Sequence, residues 1–367
     1  MEANVDLIGT NGLAQGQMTN QIMNNGSLNV GRMRPFVGTN GRSYVSVYKG
    51  GDPTLKSSYA VQPINTNGTL RRDEWKRLDE ALMQPAMYRL GGIADLIANG
   101  LTYKLNNAMG TTVLEWHDVG DALSAVVTMD GITRGKNDTV NYQTNYLPIP
   151  IIHADYEINA RLLAASRNMG NGLDTTLAER AAWHISDVLE KMLFTDTTYA
   201  FGELDGRGRN KIYSYLNFPD RNLVNLTTHW DASGATSAGI LQDVMEMLAA
   251  AAAAYHYGPF ALYIPTAYQG VMGEDYSVAG ASLMTLSERL KKLDGIKSIK
   301  VIDVLPADNV LLVELNPLTV RLIQGLGLTN LQYGQEADMV TKFKALTIQV
   351  PQIRSDQNGK CGVVHLS

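Results

Sequence analysis

Two short stretches bring chemically able side chains together. In HADYE, His153, Asp155 and Glu157 stand at alternate positions. On a strand they would share one face, as metal ligands or an acid–base pair require. The segment runs toward a helix and offers no further ligand, so a polar surface face is the expectation. In GELDGRGRN, Arg207 and Arg209 lie among Gly202, Gly206 and Gly208, a composition able to cradle a phosphate. The stretch lacks the GxxxxGK[ST] spacing and the strand-to-helix turn of a phosphate-binding loop. Ser166 and Ser287 fall on predicted helices, outside any GxSxG or SxxK context, so no nucleophile is supported. The histidines, His117, His153, His184, His229, His256 and His365, form no HExxH motif and no Cys/His cluster. Cys361 is the single cysteine, so no internal disulfide is available, which fits a reducing compartment. The sequence therefore predicts no catalytic residue, no cofactor and no metal.

The bulk numbers point the same way. Lys and Arg total 31 against 36 Asp and Glu, and a net charge of -5 argues against a dedicated nucleic-acid binder. A 45% hydrophobic content over 367 residues supports one large domain or two smaller ones with real cores. The opening MEANVDLIGTNGLAQGQ has neither a basic nor an apolar region of a secretory signal. No run approaches the ~20 apolar residues of a membrane helix, so a soluble chain made in the cytoplasm is expected.

The elements that would position any site are unusual. Residues 1–69 are rich in Asn and Gly and lack a helical period, although Ser43–Tyr48 alternates like a strand. Such an arm builds no core alone; it is either disordered or lies extended on something else. Arg32, Arg34, Arg42, Lys49 and Lys56 make it locally positive. Beyond Thr69, a predicted N-cap, Leu70, Trp75, Leu78, Leu82 and Met83 recur at helical spacing until Pro85, which predicts a kink or break. Gly110–Leu147 reads as two long strands joined by RGKND, with Arg134, Lys136 and Asp138 at the tip. DYEINARLLAASRNMG is predicted helical, ended by Gly172. A long helix over 174–195 follows, capped by Asp174 or Thr176, with Thr176–Glu179 as a capping box. Its apolar stripe is Leu177, Ala181, Ile185, Val188, Leu189 and Met192, and Asp187 pairs with Lys191 on the wet side. A helix from Thr236 or Ser237 to Gly258 precedes the strand FALYI, a turn at Pro265, a helix from Tyr268, and the helix SLMTLSERLKKLDG. IKSIKVIDV, NVLLVEL, TVRLIQG and KFKALTIQVPQIRS read as strands, which makes the chain α+β. Projections with little core of their own make sense if neighbouring copies bury them. Trp116, Arg134, Lys136, Asp138 and Tyr142 are the inter-subunit contact candidates.

This order of parts resembles the HK97-type major capsid proteins of tailed bacteriophages, in particular their encapsulin-like (linocin-like) branch. The resemblance runs from about Leu70 to Arg354. It is carried by LRRDEWKRLDEAL, by the hairpin, and by LPIPIIHADYEINARLLAASRNMGNGLDTTLAERAAWHISDVLEKMLF with Arg167, Gly170, Leu173 and Asp174. YHYGPFALYIPTAYQGVMG, VELNPLTVRLIQGLGLTNLQYG and FKALTIQVPQIR extend it. The resemblance implies an extended N-terminal arm at 1–69, a lead-in at 70–109 and an E-loop hairpin at 110–148. It further implies a peripheral domain at 149–236 with spine helix 174–195, an axial domain at 237–310, and closing peripheral strands at 311–367. Simple encapsulins begin almost directly at the helix of Leu70, whereas about seventy residues precede it here. The arm has no heptads, so a built-in helical scaffold is not supported.

The implied function is a non-enzymatic shell subunit. It would assemble as hexamers and pentamers into an icosahedral phage head around double-stranded DNA, as a virion component made in the host bacterial cytoplasm. Implied partners are copies of itself, scaffolding, portal and decoration proteins, and DNA held by non-specific contact, with no membrane. Arg32, Arg34 and Arg42 would face DNA or neighbours. Lys136 would suit a covalent cross-link found in some members, but no sequence signal identifies its partner, so a non-covalent tip is expected. The alternatives are an encapsulin compartment with an enzyme cargo and, as a third class, a soluble α/β enzyme.

Overall fold

The computed structural model describes residues 34–49, 58–63, 70–119, 127, 129, 142–168, 173–196, 199, 211–276, 284–336, 339–356 and 358–367. Its helices are α1 (Arg72–Arg89), α2 (Gly91–Ala98), α3 (Ala160–Asn168), α4 (Thr176–Phe194), α5 (Ser237–Ala253), α6 (Gln269–Met272) and α7 (Leu286–Lys291). Its strands are β1 (Phe36–Val37), β2 (Ser43–Tyr48), β3 (Tyr59–Pro63), β4 (Thr102–Lys104), β5 (Val113–Val119), β6 (Tyr142–Pro148) and β7 (Ile152–Asn159). They continue with β8 (Asn222–Val224), β9 (Phe260–Pro265), β10 (Ile296–Ile302), β11 (Val310–Glu314), β12 (Val320–Glu336), β13 (Val340–Ile353) and β14 (Val363–Leu366). The α+β fold class holds.

Two sheets organise the body. One runs β4-β12-β13-β7 and the other β10-β9-β11-β14-β8. Helices α1 and α4 lie on the first through Trp75, Leu78, Leu82, Ile185, Leu189 and Met192, against Ile323, Phe343, Ile348 and Val350. Helix α5 covers the second, placing Ile240, Val244 and Met247 against Leu262, Ile264, Leu312 and Val364. The opposite face of the second sheet, Ala261, Tyr263, Leu311 and Val313, meets Val320, Leu322 and Ile353 of the first in one shared core. Strand β9 is therefore buried at every residue, which explains its continuous apolar run rather than an alternation.

Several expectations shift. Helix α1 continues through Pro85 to Arg89 instead of breaking. DYEIN belongs to β7, and the helix starts only at Ala160, because β13 pairs with β7 from Thr347↔Ile152 to Val340↔Asn159. Thr175, not Thr176, is the N-cap of α4, which moves Glu179 one residue too far for the expected box. Asp174, the other expected cap, sits one residue before Thr175 and still meets the helix start, its Oδ1 accepting from the Thr176 amide at 3.0 Å. Leu177 and Val188 stay exposed, while Ala178, Ala182 and Leu193 join the buried face. Asp187 and Lys191 do pair, at 2.6 Å, although the Asp187 carboxylate is buried. Helix α5 is capped by Thr236, whose hydroxyl accepts from the Gly239 amide at 3.1 Å. It ends at Ala253, not at Gly258, because Tyr255 takes a left-handed φ of 63°. The stretch after 310 serves both sheets rather than one: β11 pairs with β9 and with β14, β14 pairs in turn with β8, and only β12 and β13 close the first sheet. Thr69, Gly172 and residues 200–210 lie outside the described residues.

Helices α1 and α3 are joined by one buried charge pair. The Glu74 carboxylate accepts from Arg167 Nε at 2.7 Å and Nη2 at 2.6 Å, and from the Arg71 amide at 2.7 Å. Burial pushes this carboxyl up, but the Arg167 and Arg71 donors outweigh it and hold it below its ordinary value. Arg167→Met strands the carboxylate and should cost about 3 kcal/mol in urea unfolding at pH 7. A depressed carboxyl stabilises above its unfolded pKa and loses that contribution as pH falls through the folded value. The wild-type advantage over Arg167→Met should therefore shrink below pH 4.5, the ordinary value; a constant gap would contradict this assignment.

His365, in β14, adds to the same acid sensitivity. Its Nδ1 lies 3.3 Å from Arg221 Nε and its Nε2 lies 2.7 Å from Asn309 Oδ1, a neutral ring between a donor and an acceptor. Burial, then the Arg221 charge, lowers its pKa from 6.5 to about 4. The unfolded chain takes up this proton first, so folded stability falls as pH drops from 6.5 toward 4. His365→Gln should be less stable at pH 7 yet show a shallower decline across that window in urea titrations. An unchanged slope would remove His365 from the acid response.

Candidate assembly surfaces

The stretches with chemical potential resolve into structure. On β7, His153, Asp155 and Glu157 share the exposed face. Register places Lys344 opposite Asp155 and Lys342 opposite Glu157. Lys344 Nζ lies 3.2 Å from Asp155, and His153 Nδ1 lies 3.5 Å from the same oxygen, so opposite charges ladder across two strands. Among the described residues no group of three or more His, Cys, Asp or Glu could hold a metal ion. Ser287 lies in α7 next to its capping box and bonds the Thr285 hydroxyl at 3.1 Å. The Cys361 thiol is buried and pushed up to about 12, which keeps it an inert thiol. His256 Nδ1 lies 2.6 Å from Glu314 Oε2, which also accepts the Thr319 hydroxyl at 2.7 Å. That group ties α5's end to the crossing between the sheets. GELDGRGRN lies outside the described residues.

The described part of the arm docks on its own chain. Strands β1, β2 and β3 form an antiparallel sheet, and β2 spans the alternating Ser43–Tyr48. Arg34 grips Asp79 of α1 with two bonds, at 2.7 and 2.8 Å, and donates Nε to the Asn330 carbonyl at 3.0 Å. Its guanidinium stands 5.2 Å from the Trp75 ring, whose Nε1 donates to the Pro35 carbonyl at 3.0 Å. Arg72 covers Phe36 at 4.2 Å, and the Val37 amide donates to the Leu70 carbonyl at 2.9 Å. Arg34 is thus held within its own chain. Arg42 is exposed at the β1–β2 turn, and Arg32 lies outside the described residues. An open groove of about 920 Å³ runs between this turn and α1, floored by Phe36, Val37 and Tyr44 and edged by Arg71 and Arg72.

The hairpin is anchored at its base. Strands β5 and β6 pair from Val113↔Pro148 to Val119↔Tyr142. Trp116 is half-buried against the core under α1 and α4, so it packs inside its own subunit at least as much as it faces outward. Tyr142 opens β6, while Arg134, Lys136 and Asp138 lie outside the described residues.

A junction that the sequence reading missed joins α2 to both sheets. Glu190 of α4, 1% exposed, accepts from the Gly92 amide at 2.6 Å and the Ile93 amide at 3.4 Å. Asp95 meets Lys300 of β10 at 2.6 Å and the Tyr263 hydroxyl of β9 at 3.2 Å. The signals available were two successive glycines at 91–92 and an acid on an otherwise apolar helix, GGIADLIA.

The fold is one already known. The chain is similar to a virus-like particle from Pyrococcus furiosus, with a TM-score of 0.57 and 18% identity over 80% of this chain and 99% of that one. It is similar to the capsid of Myoviridae phage XM1, with a TM-score of 0.55 and 12% identity over 75% and 91% of the two chains. It also matches the capsid of a native GTA particle, with a TM-score of 0.50 and 16% identity over 76% and 90%. These likenesses show an HK97-like capsid fold. No curated protein matches the chain in sequence. No helix among the described residues is long and apolar enough to cross a membrane. Residues 65–366 match the family described as a family of unknown function, DUF6260, and the chain belongs to that family.

Proposed function

We propose that this chain is a major capsid protein, the repeating subunit of the icosahedral head of a tailed bacteriophage. The observation that carries the reading is the extent of the fold: three shell subunits are each covered over 90% or more of their length. Copies would associate as hexamers and pentamers around double-stranded DNA. The hairpin would lie over an adjacent subunit through Trp116, Arg134, Lys136, Asp138 and Tyr142. Many weak contacts per subunit then add up to a stable lattice. Arg32, Arg34 and Arg42 remain candidates for DNA or neighbour contact. The axial part would be the five-stranded sheet with α5 and α7, and the peripheral part the four-stranded sheet with the spine helix α4. The protein would act as a non-enzyme, in the virion, after synthesis in the bacterial cytoplasm. Scaffolding, portal and decoration proteins are the further partners this role requires.

A second reading, an encapsulin-type compartment, is favoured by the coverage of 99% of the Pyrococcus virus-like particle chain. Content separates the two: DNA in a phage head, an enzyme cargo in a compartment. Negative-stain microscopy of purified protein should show closed shells under assembly conditions. Discrete small oligomers under every condition would overturn both readings and return the enzyme class to consideration.

A further inference from the structure

We propose that α2 is a clamp that fixes the angle between the two sheets and thereby, on the shell reading above, the curvature of the particle. Loops at 315–319 and 354–362 carry the chain from one sheet to the other. A few loop residues can absorb the backbone rotations of a hinge, so connections of this kind leave an angle adjustable. Helix α2 spans the same junction through non-covalent contacts. At its start, Gly92 and Ile93 are held by Glu190 of α4. In its middle, Asp95 holds Lys300 of β10 and Tyr263 of β9. At its end, Asn99 accepts from Lys297 of β10 at 2.5 Å and fixes its own amide to the Asp95 carbonyl at 2.8 Å. The chain then turns into β4, where the Leu322 amide of β12 bonds the Leu101 carbonyl at 2.8 Å. Ile93 and Leu96 fill the core shared by both sheets. The fit leaves no slack, since a Cβ on Gly92 would stand 2.3 Å from the Phe194 ring.

Lys300, Asp95, Lys297 and Asn99 are positioning residues that act through the angle they set. Two readouts separate this role from simple stability. Spin labels at Glu157→Cys on β7 and Leu223→Cys on β8, in a background diluted with unlabelled protein, report the distance between the sheets' outer edges. The native Cys361 is buried and would not compete for label. Wild type should give one narrow distance distribution and one particle diameter by electron microscopy. Lys300→Met should broaden or displace the distance distribution and produce at least two diameter classes. Lys300→Arg, which keeps the cation, should restore both. Should Lys300→Met fail to fold, Lys297→Met with Asn99→Ala removes only the exposed end of the clamp and should give the smaller version of the same changes. Folded variants with the wild-type distance and a single wild-type diameter would overturn the clamp. If wild type forms no closed particles, the shell reading falls, and the spin-label distances still decide whether α2 sets the angle.

Discussion

A carboxylate buried away from water must be satisfied by protein donors, and Glu190 shows what that demand imposes. Its donors are the amides of Gly92 and Ile93 at the start of α2. Free amides are available there because a helix's first N–H groups have no partner within it. Meeting them requires α2 to approach α4 so closely that position 92 has no room for a side chain beside Phe194. Phe194 in turn meets Tyr263 of β9 edge to face, with ring centroids 5.1 Å apart. One acid on the spine helix therefore ties the four-stranded half of the molecule to the five-stranded half.

The rest of the body follows from covering two sheets with too few helices. The first sheet receives α1 and α4 on one face. The second receives α5 and α7. The faces left over cover one another, which creates the shared core. Such a core is largely apolar, and two carboxylates at its margin are each partnered: Asp95 with Lys300 and Tyr263, Glu314 with His256 and Thr319. The Glu314 group sits where the chain crosses between the halves, and the Asp95 group where α2 spans the same junction. Each adds directional bonds that the surrounding apolar contacts cannot supply.

Legibility in the sequence tracks how local each cause is. The long helix was readable because Ala181, Ile185, Leu189 and Met192 repeat at the helical period and face one core. Strand β2 was readable from Ser43–Tyr48, and β9 from an apolar run bounded by prolines. DYEIN was misread because its side chains suit either state, and the deciding interaction is pairing with β13, nearly two hundred residues away in sequence. Strands β4 and β8 have three residues each, too few for any period to register. β14 pairs between β11 and β8, a placement that only the assembled sheet specifies. The burial of Glu190 and Asp95 was not legible, because an acid in a helix is ordinarily assigned to solvent.

The arm and the hairpin place a different demand on the same body. Each is long relative to the core it owns, and each is tethered by one aromatic anchor. Trp75 receives the arm through Pro35 and Arg34, and Trp116 sets the hairpin's base against the core under α1 and α4. Glu74 and Arg167 brace the platform on which Trp75 stands. Anchoring the bases lowers the ordering entropy left for contacts with another copy, which is how a preorganised projection turns a small interface into a useful one. On the proposed shell reading, rigidity inside the subunit and adhesion between subunits are then one problem. The sheets and their clamp fix where the anchors stand, and the anchors fix the directions in which the projections leave.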